Sequence, residues 1–179
     1  MKRIKCFLVL CVLSILLSSP VDAKPSKKTV KKAYKAYIST KLSSSNYLRP
    51  FVKYYDINGD GIQECFFVFE QGPRYGARIF TYKGGKVYSV LSDGRGLSSI
   101  YYKKGSKKIA ILFSSGAANN TLVVYKLAGK KLKISVQYHD YGDYSTGKAW
   151  YYKNGKPISK KKYVKATTPY LYWKTIQNI

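Results

Sequence analysis

The residues best suited to chemistry in this 179-residue chain lie in one stretch, Asp56-Ile57-Asn58-Gly59-Asp60-Gly61-Ile62-Gln63-Glu64. Three of the chain's 8 Asp and Glu fall there, in a protein that carries 33 Lys and Arg. Oxygen donors at alternating positions, with Gly where the backbone turns sharply, are what a hard divalent cation requires. Read as a linear calcium loop, the stretch offers the side chains of Asp56, Asn58 and Asp60 at positions one, three and five. Ile62 then gives a backbone carbonyl, and Glu64 a ligand at position nine, directly or through water. Asp, Asn and Gly also build metal-free turns. Three acids at this alternation exceed what a turn needs, so one structural calcium ion is expected at Asp56, Asn58, Asp60, Ile62 and Glu64.

Other chemistry is thinly represented. The one His, His139, is followed by Asp140, and no Ser occupies a Gly-x-Ser-x-Gly elbow. Glycan acid–base chemistry uses two carboxylates at set separations, and with the loop acids assigned to metal only Glu70, Asp93, Asp140 and Asp143 remain for it. Phosphate loops, dinucleotide fingerprints and zinc spacings are absent from the sequence. Cys65 sits in the apolar run Cys65-Phe66-Phe67-Val68-Phe69 and reads as a buried, inert thiol. No catalytic residue is expected. A secreted hydrolase or enzyme inhibitor is the alternative class.

The first residues predict the compartment. Lys2, Arg3 and Lys5 precede an apolar run from Cys6 to Leu17, and Val21-Asp22-Ala23 fits a small-x-small cleavage site. Residues 1–23 therefore read as a secretory signal peptide, with an apolar core too short for a transmembrane anchor. Its removal takes Lys2, Arg3, Lys5 and Asp22 with it, lowering the formal charge from +25 to +23. It also removes Cys6 and Cys11, leaving Cys65 unable to form an intrachain disulfide. Lysines spread in pairs and triplets, as at Lys107-Lys108, Lys130-Lys131 and Lys160-Lys161-Lys162. Outside a cell, such a charge favours anionic cell-wall polymers or glycans as partners, and any wall association is expected to be non-covalent. No specific nucleic-acid module is recognisable.

The elements that must position these residues follow from periodicity. Val30, Ala33, Tyr34, Tyr37, Ile38 and Leu42 recur at helical steps, opposite Lys27, Lys28, Lys31, Lys32 and Lys35. Ser26 or Thr29 can cap this N-terminal amphipathic helix, and Ser43-Ser44-Ser45-Asn46 ends it. Beyond Phe51 the chain reads as strands joined by Gly turns, with Asn154-Gly155 the clearest hairpin signal. Leu132, Ile134, Val136 and Tyr138 alternate with Lys133, Ser135, Gln137 and His139, as in a sheet with one wet face. Trp150, Tyr151 and Tyr152 read as sheet-packing aromatics. Ser159 can cap a short C-terminal helix that Pro169 interrupts, with Tyr170 to Ile176 resuming a helical turn. The expected fold is mainly β (α+β): an antiparallel β-meander of Gly-turn hairpins with helices at both ends. The expected organisation is a signal peptide (1–23), an N-terminal helix and linker (24–46) and a β-meander domain with a C-terminal helical segment (47–179).

The pattern Asp-x-Asn-x-Asp-Gly-x-x-Glu, from Asp56 to Glu64, resembles the strand–loop–strand calcium loops of the FG-GAP and VCBS repeat families. It also resembles the first half of a dockerin loop, whose second copy is missing here. Phe67 occupies the twelfth position, where an EF-hand places a bidentate Glu, so an EF-hand is excluded. With Tyr54-Tyr55 before the loop and the Tyr-Lys-Gly-Lys hairpins after it, the chain looks like small secreted proteins of Gram-positive bacteria without an assigned function. That resemblance implies an extracellular, calcium-stabilised β-domain with no known reaction. The function expected is a non-catalytic binding module at the bacterial surface.

Overall fold

The computed structural model describes residues 24–42, 47–71, 74–116 and 119–178. The expected signal peptide and the Ser43–Asn46 end of the first helix lie outside the described residues. Helix α1 spans Lys27–Lys41 and α2 spans Lys160–Leu171. Ten strands complete the fold: β1 (Leu48–Tyr55), β2 (Glu64–Gln71), β3 (Arg74–Lys83), β4 (Lys86–Lys103), β5 (Lys108–Ser114), β6 (Asn119–Ala128), β7 (Lys131–Asp143), β8 (Lys148–Lys153), β9 (Lys156–Ile158) and β10 (Lys174–Asn178). Strands β1 to β9 pair antiparallel in the order of the sequence, and β10 joins from outside that path by pairing with β4. The protein is a mainly antiparallel β-structure. Among the described residues, no helix is long and apolar enough to cross a membrane.

The meander follows from its turns. Asn154 and Gly155 both hold positive φ, at 50° and 76°, as the two-residue hairpin between β8 and β9 demands. Strand β4 is the exception to the hairpin-sized units. It runs for 18 residues and its register against β3 shifts at several points. Its first half pairs with β3, whereas its second half lies between β5 and β10. The sheet therefore changes direction within one strand.

That change creates an inner and an outer surface. Phe66 and Val68 of β2 and Ala77 and Ile79 of β3 share a buried cluster with Ile100, Ile109 and Ile111 from the second half. Ile176 of β10 joins the same cluster. The alternate residues of β2, Cys65, Phe67 and Phe69, face the other way and pack with Val30, Tyr34 and Leu42 of the α1 segment. Further along, Ala110, Leu122, Val124 and Tyr138 pack with Tyr163, Ala166 and Tyr170 of α2. Strand β2 is thus buried on both faces, which explains why its apolar run is continuous rather than alternating.

Helix α1 starts where Ser26 accepts a hydrogen bond from the Thr29 amide at 3.1 Å. Helix α2 is capped by Ser159, whose hydroxyl accepts from the Lys162 amide at 3.4 Å. Pro169 does not interrupt α2, contrary to expectation, but lies inside it near its C-terminal end. The lost amide falls in the last turn, where little helix remains to be disrupted. One residue earlier, the Thr168 hydroxyl donates to the Val164 carbonyl at 2.7 Å. The segment after α2 is also not helical: Lys174–Asn178 is β10. The alternation expected along β7 is broken as well. Ser135 is skipped in the register, since Val124 faces Val136 while Tyr125 faces Ile134. Leu132 therefore packs on the inner core, Val136 packs under α2, and Ile134 is left 61% exposed.

Candidate functional site

The Asp56–Glu64 loop joins β1 to β2 and rests against the β4–β5 turn. Its fixing point is Ile57, an apolar residue in a polar loop, which is fully buried in the inner core. The Ile57 carbonyl accepts from the Lys107 amide at 3.1 Å, and the Lys107 carbonyl accepts from the Leu127 amide at 2.6 Å. One hydrogen-bonded line thus ties the loop to the β4–β5 turn and to the end of β6. Gly59 lies against the β4–β5 turn so closely that a Cβ there would stand 3.2 Å from the Gly105 Cα. Gly59 also holds φ at 78°, so the backbone favours glycine where the space is already tight.

The side chains assigned to metal from the sequence all take part in the loop's own hydrogen bonding. Asp56 accepts from the Gly59 amide at 2.7 Å through Oδ1 and from the Gly61 amide at 3.0 Å through Oδ2. Asn58 Oδ1 accepts from the Asp60 amide at 2.9 Å, while its Nδ2 donates to Asp60 Oδ2 at 2.8 Å. Asp60 Oδ1 accepts from the Ile62 amide at 2.7 Å. These are Asx turns in series. The Asp60 carbonyl accepts from the Lys24 ammonium, which brings the start of the described chain onto the loop. Among the described residues, no three Asp, Glu, His or Cys side chains gather closely enough to hold a metal ion.

Glu64 is placed differently from the other four. It is 1% exposed, and its Oε2 accepts from the Ile57 amide at 2.9 Å. Its Oε1 accepts from the Thr81 hydroxyl of β3 at 3.3 Å. Burial pushes its carboxyl up to about 7, opposed by the Ile57 amide and reinforced by the charges of Asp60 and Asp56. Next to it, the Gln63 carbonyl accepts from the hydroxyl of Tyr34 in α1 at 2.9 Å. Burial and the Glu64 carboxylate raise the Tyr34 phenol above its ordinary range, so it stays a donor. The sequence pointed to the acids but not to Ile57, Thr81, Tyr34 or Lys24. The one available signal was an isoleucine between an Asp and an Asn in a loop.

The donor chemistry of the loop suits calcium. It is all oxygen, it alternates, and each carboxylate oxygen of Asp56 and Asp60 has lone-pair capacity beyond its one hydrogen bond. Beside the loop lies an open groove of about 880 Å³, bordered by Asn58, Asp60, Thr81, Lys83, Lys107 and Leu127.

Elsewhere, His139 and Asp140 do not work together. Successive residues of a strand point to opposite faces. Asp140 accepts from the Tyr163 hydroxyl of α2 at 2.6 Å and from Asn120 at 3.2 Å, whereas the His139 ring meets Thr121 at 2.9 Å. Cys65 is buried, and burial pushes its thiol up to about 12, which leaves it protonated. Trp150 departs from the sheet-packing expectation, being 39% exposed, and Tyr141 beside it is 46% exposed. Compared with family models, curated proteins and solved structures, the chain matches none.

Proposed function

We propose that this is a secreted, non-catalytic binding module, stabilised by calcium, that holds anionic polymers or glycans at the bacterial surface. The observation that carries the reading is how the acids are spent. Asp56, Asp60 and Glu64 accept from backbone amides or neutral side chains of their own loop and of the neighbouring strand β3. Asp140 is held by Tyr163 and Asn120, and Asp143 by Ser145 and Thr146. Among the described residues the one ion pair within 4.0 Å is Arg49–Glu70, at 3.4 Å. Among the described residues the lysines are therefore not paired with the chain's own carboxylates, and the formal charge of +23 expected after removal of residues 1–23 is left to act outward.

Asp56, Asn58, Asp60 and the Ile62 carbonyl would hold the calcium, with Glu64 bracing the loop from below. The ion would fasten the loop that spans the β1–β2 connection and so keep the lysine-bearing turns in place. The test is binding to a panel of polymers across a salt series. The protein should bind polyphosphate and polygalacturonate at low salt, lose most of that affinity by about 0.5 M NaCl through screening, and leave neutral dextran unbound. Equal retention of neutral and anionic polymers, or release of shortened polymer fragments, would overturn the reading.

A further inference from the structure

The inner face of the sheet continues past its core. Phe113, Thr121, His139 and Tyr152 follow one another across β5, β6, β7 and β8 in cross-strand register. Asn119, Tyr141 and Trp150 form the next row. Phe113 still packs on the inner core, whereas nothing from the opposite half of the sheet covers Tyr141 and Trp150 enough to bury them. Their rings stack at 5.6 Å between centroids with 28° between planes. Stacked on paired strands, the two rings hold each other in place, and each keeps an exposed part on which a ligand could rest at little further conformational cost.

The surroundings of that surface are polar and cationic. Lys148 lies two residues from Trp150 on the same strand face, opposite Asp143 in register. The Asp143 carboxylate is already taken by the Ser145 and Thr146 hydroxyls at 2.7 and 2.8 Å. On its other side Trp150 borders an open groove of about 470 Å³ with Tyr151, Pro157, Ile158, Ser159 and Lys160. A pyranose ring offers a flat face of C–H bonds for stacking and a rim of hydroxyls for hydrogen bonding. Acidic substituents on it would meet the two ammonium groups. A lipid surface is matched less well, because Asn119, Thr121 and His139 border the rings where an acyl chain would need apolar neighbours.

We infer that the Tyr141–Trp150 pair is the stacking platform for a sugar ring of an acidic polysaccharide, with Lys148 and Lys160 receiving its anionic groups. This inference rests on the anionic-polymer reading above and gives it a site. Trp173→Phe leaves Trp150 as the sole tryptophan, so emission from that variant reports on the platform alone. It is titrated with polygalacturonate, with polyphosphate, and with vesicles of phosphatidylglycerol. Affinities for the same three are then compared between the unmodified protein and Trp150→Ala, with Tyr141→Ala as a second variant in case the first does not fold.

Polygalacturonate should shift the Trp150 emission, and either variant should weaken its binding about ten-fold while polyphosphate affinity stays within about two-fold. Equal loss for both polymers, or loss for neither, overturns the platform. So does a shift with vesicles but not with polygalacturonate, which would mark a lipid-facing patch. Failure of polyphosphate to bind at any salt concentration instead overturns the anionic-polymer reading, and the platform then stands or falls on polygalacturonate alone.

Discussion

Truncating Ile57 to alanine tests whether the acidic loop is fastened to the core or merely rests on it. The side chain is fully buried among Phe66, Val68, Ile79, Ile109 and Ile111, all on strands. Ile57→Ala removes three carbon atoms from this cluster. Large-to-small changes of this kind cost about 2–5 kcal/mol, the upper part applying where the surroundings cannot collapse. Strands paired on both sides move little, so about 3–4 kcal/mol is expected here. That is a large share of the roughly 5–15 kcal/mol that keeps a domain folded. The assay is urea unfolding, with the midpoint falling and the slope unchanged. Ile62→Ala, a half-buried residue of the α1-side cluster, should lose clearly less. Amide exchange adds a local readout, because the Lys107 amide donates to the Ile57 carbonyl. Its protection should fall in Ile57→Ala more than that of the β6–β7 pairs. A loss below about 1 kcal/mol, with Lys107 protection intact, would refute the anchoring of the loop through its one apolar residue.

In the presence of a chelator, stability should fall by about 3 kcal/mol as pH rises from 4.5 to 7, because Glu64 stays protonated up to about 7 when folded but ionises from about 4.5 when unfolded. Below that window both states are protonated and the loss vanishes; Glu64→Gln should remove this component, as read by urea unfolding at each pH. Calcium at about 1 mM should add roughly 1.4 kcal/mol if it binds with a dissociation constant near 10⁻⁴ M, and Asp60→Ala should abolish that gain in a thermal-shift titration. The same variant should also cost about 1 kcal/mol without metal, since Asp60 accepts from the Ile62 amide and from Asn58. Tyr163→Phe should destabilise by about 1–3 kcal/mol in urea unfolding, because it strips the part-buried Asp140 carboxylate of its 2.6 Å donor.

The features legible in the sequence were those whose cause is local. Positive φ at Asn154 and Gly155 is demanded within two residues, and the helical stripe from Val30 to Leu42 is visible within four turns. What escaped was set by distant partners. Lys174–Asn178 is too short and too polar to announce a strand, and its pairing with β4 is decided some seventy residues away. Pro169 reads as a breaker only if the helix is expected to continue well past it. The skip at Ser135 depends on how β6 and β7 twist together, which no alternation of apolar residues records. The acidic loop shows a different limit. Asp, Asn and Gly at these spacings satisfy their own backbone and suit a cation equally well, so one pattern serves both chemistries. The buried Ile57 and Glu64 became meaningful only once the turns beneath them were in view.

Strand β10 has a bearing on how the chain can come to be folded at all. The edge of β4 from Ser99 to Tyr102 receives its partner only from the last residues of the described chain. Closing it requires a contact of high sequence separation, which delays folding. Until then that edge displays unpaired backbone groups to any neighbouring molecule. A copy clipped after Trp173 would keep the open edge for good, and the β10 segment of an intact copy could supply what it lacks. The same five residues that finish one molecule are thus the ones through which two could be joined.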